Sequence, residues 1–447
     1  MFNADKNLME KWQPVLDAPE APEFKDNYRK SVTAAVLENT EKALAEERAQ
    51  SNFSLTEAAP ANATTGGTGN ISNWDPILIS LVRRAMPNLV AYDLAGVQPM
   101  SGPTGLIFAM KSKYTSQGGT EALFNEADTS FSGESNTVTT SSDPFATDTD
   151  GTPDDVDYAP GTGLSTADAE ALGSGSPAGD FAEMAFSIEK ATVTAKSRAL
   201  KAEYTMELAQ DLKAIHGLDA ESELANILSA EILAEINREV IRTINVKAKL
   251  GAQQGDLANV DGTTGTAGGV FDLNADADGR WSVEKYKGLI VQIEREANVI
   301  AKETRRGKGN FILCSSDVAS ALVAAGLLDY TPALSTNLNV DDTGNTFAGV
   351  LNGRTKVYID PYATVNYVTV GYRGTNPYDA GMFYCPYVPL TMVRAVGENT
   401  FQPKIGFKTR YGMVANPFVG ANPGNDTGAN RSNQYYRIFA VNNILGE

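Results

Sequence analysis

Apolar residues follow a helical spacing in the middle of the chain and an alternating spacing toward its end. They recur every three or four residues in four segments, which predicts helices at 205–217, 220–248, 281–309 and 317–328, with one strand, NFILC, at 310–314. Beyond position 345, short runs such as FAGVLNGRTKVYID and YYRIFAVNNI predict strands, and Asn352-Gly353 predicts a hairpin turn. Because helices and strands are largely separate along the chain, the sequence predicts an α+β fold.

The most regular helical pattern covers residues 220–248. Ile227 and Ile241 widen an apolar stripe that recurs every four residues and consists of Leu224, Leu228, Ile232, Ile236, Val240 and Ile244. About 29 residues at 1.5 Å per residue give a helix about 43 Å long, which we interpret as a spine. Gly217 is expected to end the preceding helix, and Asp219 is expected to cap this one.

Two strand-like stretches, 105–114 and 186–205, flank a region of different composition. Residues 115–180 contain thirteen acidic residues and no lysine or arginine, and are otherwise rich in Gly, Ser, Thr, Ala and Pro. Such a segment has too few large apolar residues for a core of its own. We therefore predict an extended hairpin that carries an acidic insertion displayed at a surface.

Residues 1–57 form a charged leader, joined to the rest of the chain by SLTEAAPANATTGGTG at 54–69, a stretch of mostly small residues in which Glu57 is the one charged residue. Val36, Leu37 and Leu44 lie at near-helical spacing among Glu and Lys, which predicts a solvated helix with one narrow apolar stripe. Such a stripe suits docking to a partner, and the alternative is a loosely attached N-terminal helix of the fold itself. After the joint, a short helix is predicted from Pro76 to Met86.

Length and charge narrow the class of protein. A chain of 447 residues predicts two or three domains. Its 37 basic and 55 acidic residues give a net charge of −18, which argues against a general basic surface for nucleic acid or an anionic membrane. No apolar stretch approaches the roughly 18 residues of a membrane span. Charged residues also occupy the first positions, where a signal peptide needs an apolar centre, so we expect a cytoplasmic protein.

Catalytic chemistry finds little support in the sequence. The single histidine, His216, falls in the last turn of a predicted helix, where a structural role is expected. Cys314 follows an apolar run in a predicted strand and is expected to be buried and inert, and Cys385 lies in another strand, so neither a zinc site nor a disulfide is predicted. RRGKGNF at 305–311 lacks the full pattern of a phosphate loop. It is expected to be a basic loop, with contact to an acidic neighbour as the alternative, and no cofactor is predicted.

The acidic stretch DTDGTPDDVD at 148–157 is the best candidate for a metal site. With Gly151 as the glycine of a calcium loop, four carboxylates align with ligand positions: Asp148, Asp150, Asp154 and Asp157. However, Ala146 stands where the first ligand should be, and no helices are predicted on either side. We expect a solvated acidic loop, with bound calcium as the alternative.

Five long stretches carry a family resemblance: VRRAMPNLVAYDLAGVQPMSGPTGLIFAM, AKSRALKAEYTMELAQDLKAIHGLDAESELANILSAEILAEINREV, FAGVLNGRTKVYID, DAGMFYCPYVPLTMVR and FQPKIGFKTRYGM. They cover most of residues 80–114, 185–245 and 345–415. In this order they resemble the major head (capsid) protein of T-even-type tailed bacteriophages. The insertion at 115–180 and the segment 420–434 do not match that family well.

The resemblance implies the Hong Kong ninety-seven-type capsid fold. The implied parts are an N-terminal arm at 58–104, an extended loop with the insertion at 105–203, a peripheral domain with the spine helix at 204–249, an axial domain at 250–400 and a return to the peripheral domain at 401–447. It also implies homo-hexameric capsomers that contact neighbouring capsomers in the virion's head shell, around double-stranded DNA. The implied partners are a scaffold core and a prohead protease in the host cytoplasm, a capsid vertex protein, and decoration proteins. Sequence-specific nucleic-acid binding and membrane binding are not expected.

The resemblance further implies that the leader is removed by a protease that cuts after Glu in the tripeptide (Leu/Ile)-x-Glu. Leu55, Thr56 and Glu57 have this pattern within the stretch of mostly small residues at 54–69, so we place the cut between Glu57 and Ala58. Leu44-Ala45-Glu46 also fits but lies inside a predicted helix, and a cut after Leu8-Met9-Glu10 would leave most of the leader attached. On this interpretation the leader holds subunits on an internal scaffold until the cut makes assembly irreversible.

Two other functions stay open at this point. One is the pentameric capsid vertex protein of the same phage type, which shares the fold. The other is a metal-dependent cytoplasmic hydrolase that uses the acidic cluster.

Overall fold

The computed structural model describes residues 2–17, 27–51, 89–123, 127, 129, 131–133, 162–173, 181–252, 269–277, 279–326, 328–329, 346–376, 378–397, 402–415 and 431–444. These residues mix α and β structure, as predicted. The chain divides into two compact units. The first contains residues 1–106, 192–303 and 307–447, and the second contains residues 107–191 and 304–306.

The described helices are α1 (Phe2–Leu16), α2 (Asn27–Ser51), α3 (Ala91–Leu94), α4 (Thr166–Ala171), α5 (Met206–His216), α6 (Ala220–Lys247), α7 (Ser282–Thr304) and α8 (Ser316–Ala324). The described strands are β1 (Gly96–Val97), β2 (Thr104–Tyr114), β3 (Met184–Thr194), β4 (Lys196–Glu203), β5 (Ala248–Leu250), β6 (Val270–Asp272), β7 (Phe311–Ser315), β8 (Leu328–Asp329), β9 (Thr346–Leu351), β10 (Thr355–Asp360), β11 (Tyr367–Gly371), β12 (Met382–Val396), β13 (Pro403–Ala415) and β14 (Asn433–Asn442). The short helix predicted from Pro76 to Met86 lies outside the described residues.

A four-stranded sheet has the order β1-β12-β13-β4. Its centre is a long antiparallel pair in which β12 and β13 run from Met382 opposite Ala415 to Val396 opposite Pro403. β4 pairs with the other edge of β13 and β1 pairs in parallel with β12. The prediction of one continuous strand at 186–205 is therefore wrong. The stretch divides at Ala195 into β3 and β4, because β4 finds its hydrogen-bonding partner on β13.

A larger, eight-stranded sheet has the order β5-β14-β11-β7-β10-β9-β8, with β6 also paired to β14. β7 and β10 are parallel neighbours, and α8 follows β7 and packs against both strands. β9 and β10 form an antiparallel hairpin whose turn residues, Asn352 and Gly353, have φ angles of 51° and 68°. Leu351 lies opposite Thr355, so three residues connect the two strands, and the backbone N–H of Arg354 donates to the carbonyl oxygen of Leu351 at 3.1 Å. Positive φ at both Asn352 and Gly353 is the conformation for which Asn-Gly is favoured in hairpin turns, so the predicted turn is confirmed.

The long helix is confirmed as α6, with 28 residues. Most of its predicted stripe is buried, namely Leu228, Ile232, Ile236, Val240, Ile241 and Ile244. Ile227, which was predicted to widen that stripe, is 61% exposed, because only the flank of α6 that faces the sheets is covered. Gly217 ends α5 in the left-handed conformation, as predicted. Asp219 occupies the cap position of α6, but its side chain makes no capping hydrogen bond.

Two arginines join α6 to the two sheets. Arg198 on β4 donates to Glu235 at 2.7 Å and to Glu239 at 2.5 Å. Arg238 on α6 donates to Asp360, the last residue of β10, whose side chain is 2% exposed. Since a buried carboxylate must be paired to stay charged, the Arg238–Asp360 pair fixes where α6 lies on the larger sheet.

In the second unit, β2 and β3 form a two-stranded sheet, which confirms the predicted hairpin. The acidic insertion between them is described only in part, and α4 lies within it. Ser165 caps α4 by accepting a hydrogen bond from the backbone of Asp168.

Both cysteines are buried, as expected for Cys314, with exposures of 0% for Cys314 and 2% for Cys385. Burial raises the pKa of each thiol to about 12. Because the thiolate is the reactive form, the folded chain is expected to resist a water-soluble disulfide reagent, whereas both thiols react once the chain is unfolded in denaturant. Thiol titration with and without denaturant measures this. A folded chain that reacts as fast as the unfolded one would contradict the burial.

Candidate functional site: the leader and its docking surface

The predicted processing residues, Leu55, Thr56, Glu57 and Ala58, lie outside the described residues. The leader's two other tripeptides that fit the cleavage pattern lie among the described residues, and both are helical. Leu8-Met9-Glu10 lies in α1, and Leu44-Ala45-Glu46 lies in α2, as predicted. An extended protease site cannot include either tripeptide without unwinding its helix.

The two leader helices, α1 and α2, pack against each other. Trp12 on α1 is fully buried, and its indole nitrogen donates to Glu38 of α2 at 3.3 Å. Lys11 pairs with Glu38 at 2.8 Å and also with Glu41. Burial works against the charged form of Glu38, but the hydrogen bonds from Lys11 and Trp12 outweigh it and lower its pKa. This contribution to stability is present above the ordinary glutamate pKa and is lost as the pH falls through the lowered value.

α2 in turn packs against β12 of the four-stranded sheet. The prediction of a solvated leader helix with one narrow stripe is therefore wrong. The middle turns of α2 are buried on nearly every side, through Val32, Thr33, Ala34, Val36, Leu37, Asn39 and Thr40. The apolar stripe of α2 looks narrow in the sequence because the other buried sides of the helix carry small or polar residues. Thr33, for example, satisfies its hydroxyl by donating to the backbone of Arg29 at 2.7 Å.

Leader side chains belong to the same apolar core as the sheet. Trp12, Leu16, Val36 and Leu37 lie in one cluster with residues of the body such as Tyr384. Burying a side chain of this size contributes about 1.5–3 kcal/mol. The leader is thus an integral part of the first unit. The alternative prediction, an N-terminal helix of the fold itself, agrees with this better, although the helix is packed and not loosely attached.

Asn39 fixes α2 to two separate segments of the body. This side chain is 8% exposed. Its amide nitrogen donates to the carbonyl oxygen of Met100 at 2.6 Å and to that of Tyr387 at 3.1 Å. Met100 ends the segment that carries β1, and Tyr387 lies on β12. One leader side chain therefore contacts both β12 and the segment that follows β1.

Three further contacts join the start of α2 to the segment 89–100. Arg29 forms an ion pair with Asp93 at 2.8 Å, and its guanidinium lies 5.2 Å from the ring centre of Tyr92. The hydroxyl of Tyr28 donates to the carbonyl oxygen of Val97. We call the surface formed by residues 89–100 together with β12 the leader-docking surface.

The other sequence candidates do not form a reactive site. His216 ends α5, a helix in which no residue is buried. In the loop at 305–311, Lys308 forms an ion pair with Glu294, and the loop leads into β7. The calcium candidate at 148–157 lies outside the described residues. Among the described His, Cys, Asp and Glu residues, no group of three or more is placed to hold a metal ion. No described helix has both the length and the apolar character of a membrane span.

Comparison with known proteins decides the family. Residues 71–441 match the family described as Major capsid protein Gp23. The chain belongs to this Gp23 major capsid protein family. The major capsid protein of Serratia phage KSP90 is 41% identical over 426 residues, which cover 93% of this chain and 91% of the relative. The protein is accordingly a structural component of the phage head shell and not an enzyme, so the hydrolase alternative is wrong.

The similarity extends to the T-even phages named by the resemblance. The major capsid protein of Enterobacteria phage T4 is 38% identical over 483 residues, covering 92% of each chain. The capsid vertex protein of the same phage is 29% identical over 256 residues, covering 54% of this chain and 55% of the relative. This chain is therefore more similar to the T4 major capsid protein than to the T4 capsid vertex protein, and the similarity covers far more of its length. Among solved structures, the capsid of Myoviridae Phage XM1 is 11% identical with a TM-score of 0.38, covering 79% of this chain and 92% of the other.

Proposed function

We propose that this major capsid protein forms homo-hexameric capsomers that tile a head shell around double-stranded DNA, and that it is matured by a cut after Glu57. We further propose that its parts are those of a Hong Kong ninety-seven-type subunit, namely an N-terminal arm, an extended loop, a peripheral domain with the spine helix α6, and an axial domain. The long β2–β3 hairpin and the 28-residue helix α6 support that assignment.

An exposed apolar row on the hairpin supports assembly through copies of the same chain. Met184, Phe186 and Ile188 occupy alternate positions of β3, so they point to the same side of the strand. They are 54%, 58% and 63% exposed, and Met110 on the paired strand is 68% exposed. A two-stranded sheet alone is marginally stable, and clustered exposed apolar side chains mark an interaction surface. In a shell of many copies, the covering surface is supplied by a neighbouring subunit.

The cut after Glu57 is supported by the tripeptide Leu55-Thr56-Glu57 within a run of small residues, and by the helices that contain the two competing tripeptides. A prohead protease makes this cut while a scaffold core organises the subunits. A related vertex protein fills the pentameric positions, and decoration proteins bind the finished shell. Sequencing the N-terminus of the shell protein from infectious particles tests the site, with Ala58 as the expected first residue.

The assembly surface is tested by placing charge on the hairpin row. The double variant Phe186→Asp/Ile188→Asp is expected to stay dissociated, because each charge would be buried without a partner at the subunit contact. The unchanged chain is expected to form rings, sheets or tubes by electron microscopy and to sediment as large species. Thr192→Asp is the matched control, since it adds a charge at an exposed position of the same strand without removing apolar surface. Normal assembly of the double variant, with circular dichroism unchanged, would refute this role of the row.

A further inference from the structure

We propose that the leader is a ligand of the leader-docking surface, so that cutting the chain and releasing the leader are separate events. The cut leader stays bound until the segment 89–100 shifts along β12. The position of the cut rests on the proposed function, whereas the docking contacts do not depend on it.

The cut alone breaks none of the contacts that hold the leader. Within the described residues, the polar contacts between leader and body start from Tyr28, Arg29 and Asn39, well before Glu57. Dissociation would expose Val36 and Leu37 of α2, which are fully buried in one core cluster with Tyr384 of β12. It would also leave the carbonyl oxygen of Met100 without the Asn39 amide. Cutting therefore only removes the tether, which lowers the effective concentration of the leader from that of an intramolecular contact to that of a free peptide.

The contacts also identify the movement that frees the leader. The segment 89–100 is held on β12 by backbone hydrogen bonds, from Gln98 to Tyr384 and from Met100 to Pro386, each 2.9 Å long. Because this pairing sets the spacing between the carbonyl oxygens of Met100 and Tyr387, Asn39 can bind both only in the present register. A shift of the segment along β12 breaks this pair of Asn39 hydrogen bonds.

The same shift affects the start of α2. Arg29 and Tyr28 contact Asp93 and Val97, which both lie on the moving segment. That segment follows the predicted cut site in the chain, so it stays with the body after cleavage. The leader therefore binds one particular register of its own subunit, and a subunit that changes this register loses the leader.

The test uses the full chain with a recognition sequence for a site-specific protease inserted between Thr65 and Gly66. After complete cutting in native buffer, the leader fragment is expected to co-elute with the body on size exclusion. Asn39→Ala is expected to speed its loss at least about tenfold, since it removes two buried hydrogen bonds. Lys42→Ala, at an exposed position of the same helix, is the control and should leave retention unchanged. Immediate loss of the leader from the unchanged chain would overturn the proposal.

Hydrogen exchange supplies a second readout that does not need a variant. The amides of Gln98 and Met100 are expected to lose protection at the rate at which the leader leaves. Departure of the leader while both amides stay protected would show that no shift of the segment is needed. Since the cut is made at an inserted sequence, these outcomes are independent of whether infectious particles carry Ala58 at the N-terminus. A wrong cleavage site and a wrong docking model are therefore distinguishable.

Discussion

A Glu57→Gln chain is expected to retain the whole leader, so that shell protein purified from particles or proheads begins at Met1. The protease implied by the resemblance recognises a glutamate, and the amide keeps the shape of that side chain while removing its charge. A site built to bind a specific polar group rejects an analogue that lacks it by roughly 10⁴-fold. Processing should therefore fall below detection when it is measured by intact mass on the assembled protein.

Glu46→Gln and Glu10→Gln are the matched controls, because each makes the same chemical change in the same tripeptide pattern. Both glutamates lie in helices, α2 and α1 respectively, where the protease cannot bind an extended chain. Normal removal of the leader is expected in both. Normal processing of the Glu57→Gln chain would show that the protease does not cut after Glu57. A complete block of processing by Glu46→Gln would equally contradict a cut after Glu57.

The sequence predicted those elements whose apolar pattern is decided by local geometry. The spine helix was visible because Leu228, Ile232, Ile236 and Val240 repeat at the helical period and pack on one side. The β9–β10 turn was visible because two positive φ angles favour Asn-Gly. The break between β3 and β4 was not visible. Both halves have strand composition, and only the pairing of β4 with β13 separates them.

The docked leader was missed for a related reason. Its helical character was predicted correctly, but a helix whose middle turns are buried on nearly every side was mistaken for a solvated one. Small residues such as Ala34 and Thr40 pack as closely as larger ones, although they carry little hydropathy signal. Trp12 was the available clue, since a large aromatic side chain in a charged leader indicates burial. The partners of Asn39 are backbone carbonyls, which no sequence pattern displays.

Replacing Arg437 by alanine is expected to cost about 3–5 kcal/mol of unfolding free energy, the largest loss expected from a single change in the eight-stranded sheet. Arg437 on β14 is buried, with 4% of its side chain exposed. It contacts two carboxylates of α7, Glu296 at 3.3 Å and Glu303 at 2.6 Å. Glu296 is equally buried and also accepts hydrogen bonds from the backbone of Ala252 and from Gln292. Without the arginine, the buried carboxylate of Glu296 still pays the cost of desolvation but has lost its counter-charge, which destabilises the folded chain.

The measurement is urea unfolding in the Phe186→Asp/Ile188→Asp background, where assembly does not add to the apparent stability. Lys201→Ala is the control, because Lys201 pairs with Glu203 while 75% of its side chain is exposed, and loss of such a pair costs less than about 1 kcal/mol. Adding Glu296→Gln to Arg437→Ala is expected to restore part of the loss, since it removes the buried charge that has lost its arginine, whereas Glu303 still pairs with Lys249 at 3.4 Å. If Arg437→Ala unfolds at the same urea concentration as Lys201→Ala, the buried pair contributes nothing. The attachment of α7 to β14 would then rest on apolar packing alone.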